Sequence, residues 1–276
     1  MKFLFLDDSK QRNSSRPRLG EMLSVGGVIV DSQSIRALDT KIEDICKTDF
    51  GFPESEVFKW SPSKDHWFRA SVTGDRRNEF FKSVLRACLD FDAKFVVCTV
   101  DVSKGQANPK ASSHEIDALT LTLERFNTFI SPSGSGVVLL AKPSGGQRDE
   151  NKILAEMIDV RSSGTEFVNF SKMALNIITV PYNHSRILQV ADLVVSVTTA
   201  MVSGETKYAA EIFPDLLKGF HRNSKGQVGG AGLKLHPSTL NNLYFWLCDD
   251  RYYVRGNSGI PLPKVGSPFD LSDRIW

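Results

Sequence analysis

The hydrophobic pattern at the start of the chain predicts a buried β-strand. Five of the first six residues are apolar, a run too short for a helix, and residues 7–18 that follow are polar. Residues 22–30 are again apolar and contain Gly26 and Gly27, so we expect a second strand that pairs antiparallel with the first. The first strand would then end at Asp7 and Asp8.

Segments with helical spacing of apolar residues alternate with short apolar runs through the middle of the chain. The predicted helices are 35–50 (capped by Ser32 or Ser34), 75–89, 115–130, 148–158 and 185–201, and the further predicted strands are 94–102, 137–141 and 176–180. Antiparallel strands followed by strand–helix repeats predict an α/β fold, in which helices pack on the faces of a mixed β-sheet.

The pattern weakens beyond Gly204. Residues 218–232 are basic and rich in glycine, an aromatic cluster follows between Tyr244 and Tyr253, and a tail rich in proline and glycine ends at Trp276. We therefore expect one domain over residues 1–202 and a C-terminal elaboration over residues 203–276, packed on that domain or inserted beside it.

Composition restricts the class of protein. The 276 residues are 41% hydrophobic, enough for one well-filled core, and the net charge of +2 neither requires nor excludes an acidic partner. The four cysteines are widely spaced and form no CxxC pair, which favours reduced thiols in a cytoplasmic protein. No apolar run reaches the ~18 residues of a membrane span, so we expect no membrane partner.

Two adjacent carboxylates follow the first strand. Asp7 and Asp8 are hard oxygen donors, and carboxylates held on a rigid strand bind Mg²⁺ or Mn²⁺ without first ordering a loop. Asp101 lies near the end of another predicted strand, and Glu56 lies in residues 56–60, whose alternation predicts a short strand or extended arm. The alternative for Asp7 and Asp8 is that they begin a turn.

A further acidic position lies inside the last strong helix. Asp192 follows Leu188 by four residues and precedes Val195 by three, so it shares the face of apolar residues that should meet the sheet. An ionised carboxylate there is unfavourable unless it is paired or binds a cation. Pairing with a cationic side chain such as Arg186 is the alternative to metal binding.

Three motifs together resemble the DUF3800 family, whose members are similar to ribonuclease H-like nucleases. Leu6-Asp7-Asp8-Ser9 resembles the DESG opening, residues 56–59 resemble an E-x-K segment, and Gln189-Val190-Ala191-Asp192 matches the QxAD signature. The resemblance covers about residues 1–202, with Asp8 where Glu is usual and Lys10 where Gly is usual. It implies a ribonuclease H-like sheet flanked by helices.

The resemblance also implies a function. Asp7 and Asp192 would bind Mg²⁺ or Mn²⁺, Glu56 would be a further ligand or a supporting group, and Asp101 a fourth ligand. The protein would be a metal-dependent nuclease that hydrolyses phosphodiester bonds, in bacterial antiviral defence or mobile-element biology. Relatives carry an Asp where Ala141 and Lys142 stand here, for which Asp149 or Glu150 would have to compensate. The alternative is a catalytically impaired subunit that binds a protein partner or nucleic acid.

Basic residues near the predicted site and near the C-terminus are candidates for contact with nucleic acid. Phosphates are bound by Arg and Lys side chains, and bases stack on aromatic rings. The candidates are Arg12, Arg16, Arg18, Lys59, Lys218, Arg222 and Lys225. A solvated surface is the alternative for each. No HExxH, P-loop or GxSxG motif supports zinc hydrolysis, nucleotide hydrolysis or serine catalysis.

Overall fold

A six-stranded mixed sheet with helices on both faces organises the chain in a computed structural model that describes residues 1–255 and 258–262. The main-sheet strands are β1 (Lys2–Gln11), β2 (Met22–Asp31), β3 (Lys94–Asp101), β4 (Gly136–Ala141), β5 (Ile178–Val180) and β6 (Leu233–His236). The helices are α1 (Ile35–Asp44), α2 (Trp67–Ser71), α3 (Gly74–Asp90), α4 (His114–Phe129), α5 (Gln147–Ser163), α6 (Arg186–Ser203), α7 (Thr206–Ala209), α8 (Phe213–Gly219) and α9 (Leu243–Cys248). A small separate hairpin pairs β7 (Tyr252–Arg255) with β8 (Ser258–Pro261).

The sheet combines an antiparallel centre with parallel outer strands. The strand order is β5-β4-β1-β2-β3-β6. Strand β2 runs antiparallel to both of its neighbours, whereas β4 is parallel to β1, β5 to β4, and β6 to β3. The α/β class and the mixed sheet predicted from the hydrophobic pattern are therefore confirmed.

The sheet separates two hydrophobic cores, and successive side chains of β1 point alternately into one core and the other. Phe5 faces the core that contains α6, α3 and α1, whereas Leu4 and Leu6 face the core that contains α4. Successive side chains of a strand point to opposite faces of the sheet. Asp7 therefore lies on the α6 face with Phe5, and Asp8 lies on the α4 face with Leu6.

Helix α6 is the centre of the first core. It packs against β1 and β2, and its apolar residues from Ile187 to Val197, together with Val202, are buried, whereas Ala200 and Met201 are partly buried. By length and composition it is the one helix in the described part of the chain that could cross a membrane, although no apolar run that long was expected. Since 89% of that 18-residue window is buried, its apolar surface is already covered by the sheet and the outer helices.

Two small residues allow α6 to approach the sheet closely. A Cβ atom on Gly27 of β2 would lie 2.9 Å from the Cβ of Ala191 and 1.9 Å from the carbonyl oxygen of Phe5. Both distances are below normal van der Waals contact, so no side chain fits at this position. Gly27 thus belongs to the α6 contact, which also positions Asp192, whereas a Cβ on Gly26 would meet Val96 and Val97 of β3.

Three element predictions require correction. Strand β1 does not end at Asp7, because its pairing with β2 continues to Gln11 opposite Met22. Of the strand and the extended arm predicted for residues 56–60, the strand is wrong, since the N–H groups of Phe58 and Trp60 bond to side chains of α6. The first helix ends at Asp44 and continues as one π-helical turn, Ile45–Asp49.

The C-terminal region contributes to the same sheet. Strand β6 pairs with β3 from Val97 opposite Leu233 to Val100 opposite His236. Side chains of α8 and α9, among them Leu216 and Tyr244, belong to the α6 core. The predicted tail over residues 263–276 lies outside the described residues.

We expect Gly27→Ala to destabilise the fold, because the added methyl group would force β1 and α6 apart. Overpacking of this kind costs about 1–3 kcal/mol. Urea unfolding followed by circular dichroism measures the loss. Gly105→Ala is the matched control, since a Cβ there has no atom within 4 Å. Equal stability of the two variants would show that the α6 contact is not tight.

Candidate functional site

Asp7 lies where the parallel pairing of β1 with β4 ends. The parallel pairing of β1 with β4 ends at Leu6 opposite Leu140, so Asp7 is the first residue of β1 beyond it. The chain continues from β1 to β2 on one side and from β4 to β5 on the other. In open α/β sheets, a crevice at such a reversal of strand order is a common location for ligands.

Asp192 faces Asp7 from helix α6. Asp7 and Ser9 share the α6 face of β1, and Asp192 and Ser196 lie one helical turn apart on α6. The hydroxyl groups of Ser9 and Ser196 are 3.3 Å apart, which fixes the two elements next to each other. The carboxylates, separated by 185 positions in the chain, therefore lie at one strand–helix contact.

The two carboxylates perturb each other electrostatically. Burial, followed by repulsion from Asp192, raises the pKa of Asp7 from 3.8 to about 8. Burial also raises the pKa of Asp192, which is only 8% exposed, and the N–H of Trp60 opposes that shift. Without a cation, Asp7 is therefore mainly protonated at neutral pH, and a bound cation would favour ionisation of both groups.

Residues 56–60 are bound to α6 by the residues of the QxAD motif. Gln189 Oε1 accepts the N–H of Phe58 at 3.2 Å, and Asp192 Oδ2 accepts the N–H of Trp60 at 2.8 Å. Gln189 is itself oriented by Nη1 of Arg186 at 2.9 Å. The motif therefore has a structural role that the sequence interpretation missed. The three-residue spacing of Gln189 and Asp192, which places both side chains on one face of the helix, could have indicated this role.

This attachment brings Lys59 over the carboxylate pair. Lys59 is exposed and lowers the pKa of both Asp7 and Asp192 by charge attraction. Its ammonium group lies 4.9 Å from the centre of the Tyr182 ring, and the Tyr182 hydroxyl donates to the carbonyl of Phe58. Tyr182 is a second residue of this site that the sequence interpretation missed.

Strand alternation directs the Asp8 side chain to the α4 face, although its charge still raises the pKa of both Asp7 and Asp192. There it lines a cavity of about 320 Å³ with Lys10 and Glu115, whose ion pair measures 2.7 Å. Burial raises the pKa of Asp8, and Lys10 opposes that shift. The expectation that Asp7 and Asp8 bind the same cation is therefore corrected.

Glu56 is engaged away from the pair. Its carboxylate lies 3.3 Å from Nδ1 of His66, and its carbonyl oxygen accepts Nη1 of Arg186 at 2.8 Å. The side chain lines a cavity of about 280 Å³ at the N-terminal end of α6. Its expected convergence with Asp7 does not occur, because its carboxylate is directed to His66 and to the cavity at the start of α6.

Asp101 closes a turn at the end of β3. Its carboxylate accepts the N–H and hydroxyl of Ser103 at 2.9 and 2.6 Å and the N–H of Gly20 at 3.4 Å. Asp7 pairs with Gly26 and Gly26 with Val97, so Asp101 lies two strands and four residues away. That register separates the two carboxylates by roughly 15 Å, which excludes a shared ligand.

The end of β4 supplies no further carboxylate to the pair. Extending the β1–β4 register by one residue places Ala141 beside Asp7 on the α6 face, where its side chain is buried. Lys142 forms an ion pair of 2.9 Å with Glu150, which also accepts the hydroxyl of Thr179. Asp149 lines the Asp8 cavity, so neither acidic residue of α5 compensates for the alanine.

The predicted phosphate contacts are dispersed. Arg16 donates to the carbonyls of Val202 and Met201 and so caps the C-terminal end of α6, while Arg12 and Arg18 are exposed. Lys218 pairs with Asp215 at 2.6 Å. Arg222 and Lys225 are exposed in the following loop, where Arg222 donates to the carbonyl of Gly226.

The candidate site therefore consists of two carboxylates and one lysine. Over the described residues, no group of three or more His, Cys, Asp or Glu side chains is arranged to hold a metal ion. No protein-family model, curated protein or solved structure matches the chain. The interpretation of the site thus depends on its own geometry.

Asp7→Asn should alter how the stability of the metal-free protein depends on pH. The folded protein retains the Asp7 proton up to about pH 8, whereas the unfolded chain releases it near 3.8. Between pH 3.8 and about pH 8, Asp7 therefore lowers the free energy of unfolding progressively as pH rises. The Asn variant does not lose stability in this way, because it has no carboxyl group to ionise. We expect its stability relative to wild type to rise by at most about 1.4 kcal/mol per pH unit.

Urea unfolding in EDTA between pH 5 and pH 8 measures this difference. Asp65→Asn is the control, because Asp65 is an exposed carboxylate in a loop. A constant difference between Asp7→Asn and wild type at every pH would contradict the paired arrangement.

Proposed function

We propose that the chain is a ribonuclease H-like nuclease that hydrolyses phosphodiester bonds with Mg²⁺ or Mn²⁺ bound between Asp7 and Asp192. The observation that carries the proposal is the pair of buried carboxylates on β1 and α6, which repel each other unless a proton or a cation lies between them. The fold relationship implied by the DUF3800-like motifs is part of the same proposal.

The strand order supports the ribonuclease H-like assignment. An antiparallel β1-β2-β3 unit is extended beside β1 by the parallel strands β4 and β5. One proposed ligand is on the first strand and the other on the late helix, as the resemblance implies. Strand β6 would be an addition of this chain to that arrangement.

The chemistry of the donors fits a single hard cation. Asp7 Oδ1 accepts the N–H of Asp8 at 2.9 Å, which leaves Oδ2 for a ligand bond. Oδ2 of Asp192 accepts the N–H of Trp60, and Oδ1 accepts only a long hydrogen bond of 3.4 Å from the hydroxyl of Ser196. Each carboxylate thus offers one oxygen from a rigid element, and solvent would supply the other ligands of Mg²⁺ or Mn²⁺.

A bound cation would help ionise a water and neutralise charge that develops on the phosphate. The residues of the chain would prepare that step. Asp7 would release its proton, Asp192 would remain fixed by the Trp60 N–H, and Lys59 would contact a phosphate oxygen of the nucleic acid. The cytoplasmic setting and a role in bacterial antiviral defence remain predictions.

The absence of a carboxylate at the end of β4, beside Asp7, favours a second candidate function without catalysis. Ala141 occupies the position next to Asp7 where relatives carry an Asp, and the carboxylate of Glu150 is paired with Lys142. A site with two ligands holds a cation less tightly than one with three or four. The protein would then serve as a non-catalytic subunit that binds nucleic acid or a protein partner.

Calorimetric titration with Mn²⁺ and a nuclease assay test the first function. We expect wild type to bind one Mn²⁺ and cleave labelled oligonucleotides, whereas Asp7→Asn and Asp192→Asn lose both activities because each removes half of the ligand set. Circular dichroism verifies that the variants are folded.

Two control variants separate this site from a general loss of acidic charge. Asp8→Asn changes the adjacent residue, which faces the opposite core, and Glu56→Gln changes the carboxylate paired with His66. Both should retain Mn²⁺ binding. If wild type shows no saturable binding at millimolar Mn²⁺, the nuclease proposal fails and the non-catalytic function is favoured.

Ala141→Asp tests whether the site lacks a third ligand. The new carboxylate would lie beside Asp7 and would be expected to tighten Mn²⁺ binding by about tenfold, within the range that one supporting group contributes to a metal site. Ala141→Asn is the control that adds similar volume without charge. Equal Mn²⁺ affinity of Ala141→Asp and wild type would contradict the placement of the cation next to β4.

A further inference from the structure

A third cavity, of about 810 Å³, opens on the α4 face of the sheet. Helix α4 forms one wall through Glu124 and Arg125, and the chain after α8 forms another through His221 and Arg222. This cavity, here called the basic groove, lies on the opposite face of the sheet from Asp7 and Asp192. It is therefore separate from the proposed metal site.

The edge strand β6 directs polar side chains into the basic groove. Leu233 and Leu235 belong to the α6 core, so alternation places Lys234 and His236 on the α4 face. Lys234 pairs in register with Cys98, which belongs to the α4 core. The last strand of the sheet thus contributes a half-buried ammonium group to the floor of the groove.

The permanent charges of the basic groove are predominantly positive. Among its described lining residues, Arg125, Arg222 and Lys234 are cationic, and Glu124 is the single carboxylate. Both oxygens of Glu124 are engaged, one by Arg125 at 3.0 Å and the other by the Thr165 hydroxyl at 2.6 Å. The lining of the groove therefore has more cationic than acidic side chains, although Arg222 also attracts the buried carboxylate of Asp250.

Part of each arginine is fixed by the protein, which holds the cations in place. Arg125 donates through Nε to the carbonyl of Gly230 at 2.9 Å and through Nη1 to Leu121 at 3.1 Å. Arg222 donates through Nη1 to the carbonyl of Gly226 at 2.8 Å. No hydrogen bond from Nη2 of either residue occurs within the described part of the chain. The guanidinium groups thus retain donors that match phosphate oxygens.

An exposed aromatic ring borders the same cavity. Phe167 is 79% exposed, an unusual position for a large apolar side chain, and it lines the groove with Tyr253. Burial and the neighbouring Lys94 lower the pKa of His221, so its imidazole is mainly neutral at pH 7. A flat ring near fixed cations suits a ligand that has both a base and a phosphate.

We propose that the basic groove binds a nucleotide, with its phosphate held by Arg222 and Lys234 and its base stacked on Phe167. The nucleotide is either free or one unit of a single strand, since both present the same chemistry. This binding does not depend on the proposed metal site, because the two sites lie on opposite faces of the sheet.

Fluorescence anisotropy of a labelled single-stranded DNA 12-mer, in EDTA and 50 mM salt, tests the proposal with the full chain. The double variant Arg222→Ala, Lys234→Ala should bind at least about tenfold more weakly, and Phe167→Ala about tenfold more weakly. Arg86→Ala, Lys207→Ala is the matched control, because it removes the same charges from exposed positions on α3 and α7. Arg222→Ala alone serves if the double variant fails to fold.

Unlabelled adenosine monophosphate distinguishes the two sources of the nucleotide. Displacement of the 12-mer by the mononucleotide would assign the groove to free nucleotides, whereas tight 12-mer binding without displacement would assign it to single strands. Unchanged affinity of the groove variants, or no binding of either probe by wild type, would overturn the proposal. Since EDTA removes divalent cations, neither result depends on whether Asp7 and Asp192 bind Mn²⁺.

Discussion

The close contact of helix α6 with strands β1 and β2 is the constraint on which the rest of the structure depends. Gly27 and Ala191 leave no space between helix and sheet, so the polar residues of α6 are pressed against the strand that carries Asp7. The same helix fixes residues 56–60 through Gln189 and Asp192. A tight core contact therefore sets the position of both carboxylates and of Lys59.

That contact places two acidic groups where isolated carboxylates are unfavourable. Burial and mutual repulsion raise the pKa of Asp7 to about 8, and the N–H of Trp60 offsets only part of the same effect at Asp192. An ion pair with Arg186 would have stabilised the buried charge of Asp192. Arg186 bonds instead to Glu43, Glu56 and Gln189. A proton or a bound cation is then the means of compensation.

Hydrophobic periodicity was sufficient for most of the fold and for two residues of the site. The strands and long helices follow apolar runs that must be buried, and Asp192 interrupts one such face. Hydrophobic periodicity could not predict the position of residues 56–60, because the hydrogen-bond partners of Phe58 and Trp60 are side chains 131 and 132 positions away. Alternation from Phe5 could have separated Asp7 from Asp8. The predicted convergence of Glu56 and Asp101 with Asp7 was wrong, because it depended on tertiary geometry that one sequence does not encode locally.

The proposed nuclease function requires that the strand carboxylate of Asp7 and the helix carboxylate of Asp192 share a cation. Anomalous diffraction from a crystal equilibrated with Mn²⁺ tests this requirement, since the anomalous peak locates the metal independently of any activity. We expect a peak between Asp7 and Asp192, within about 2.5 Å of one oxygen of each. A peak at Asp8 and Glu115, or no peak at millimolar Mn²⁺, would contradict it.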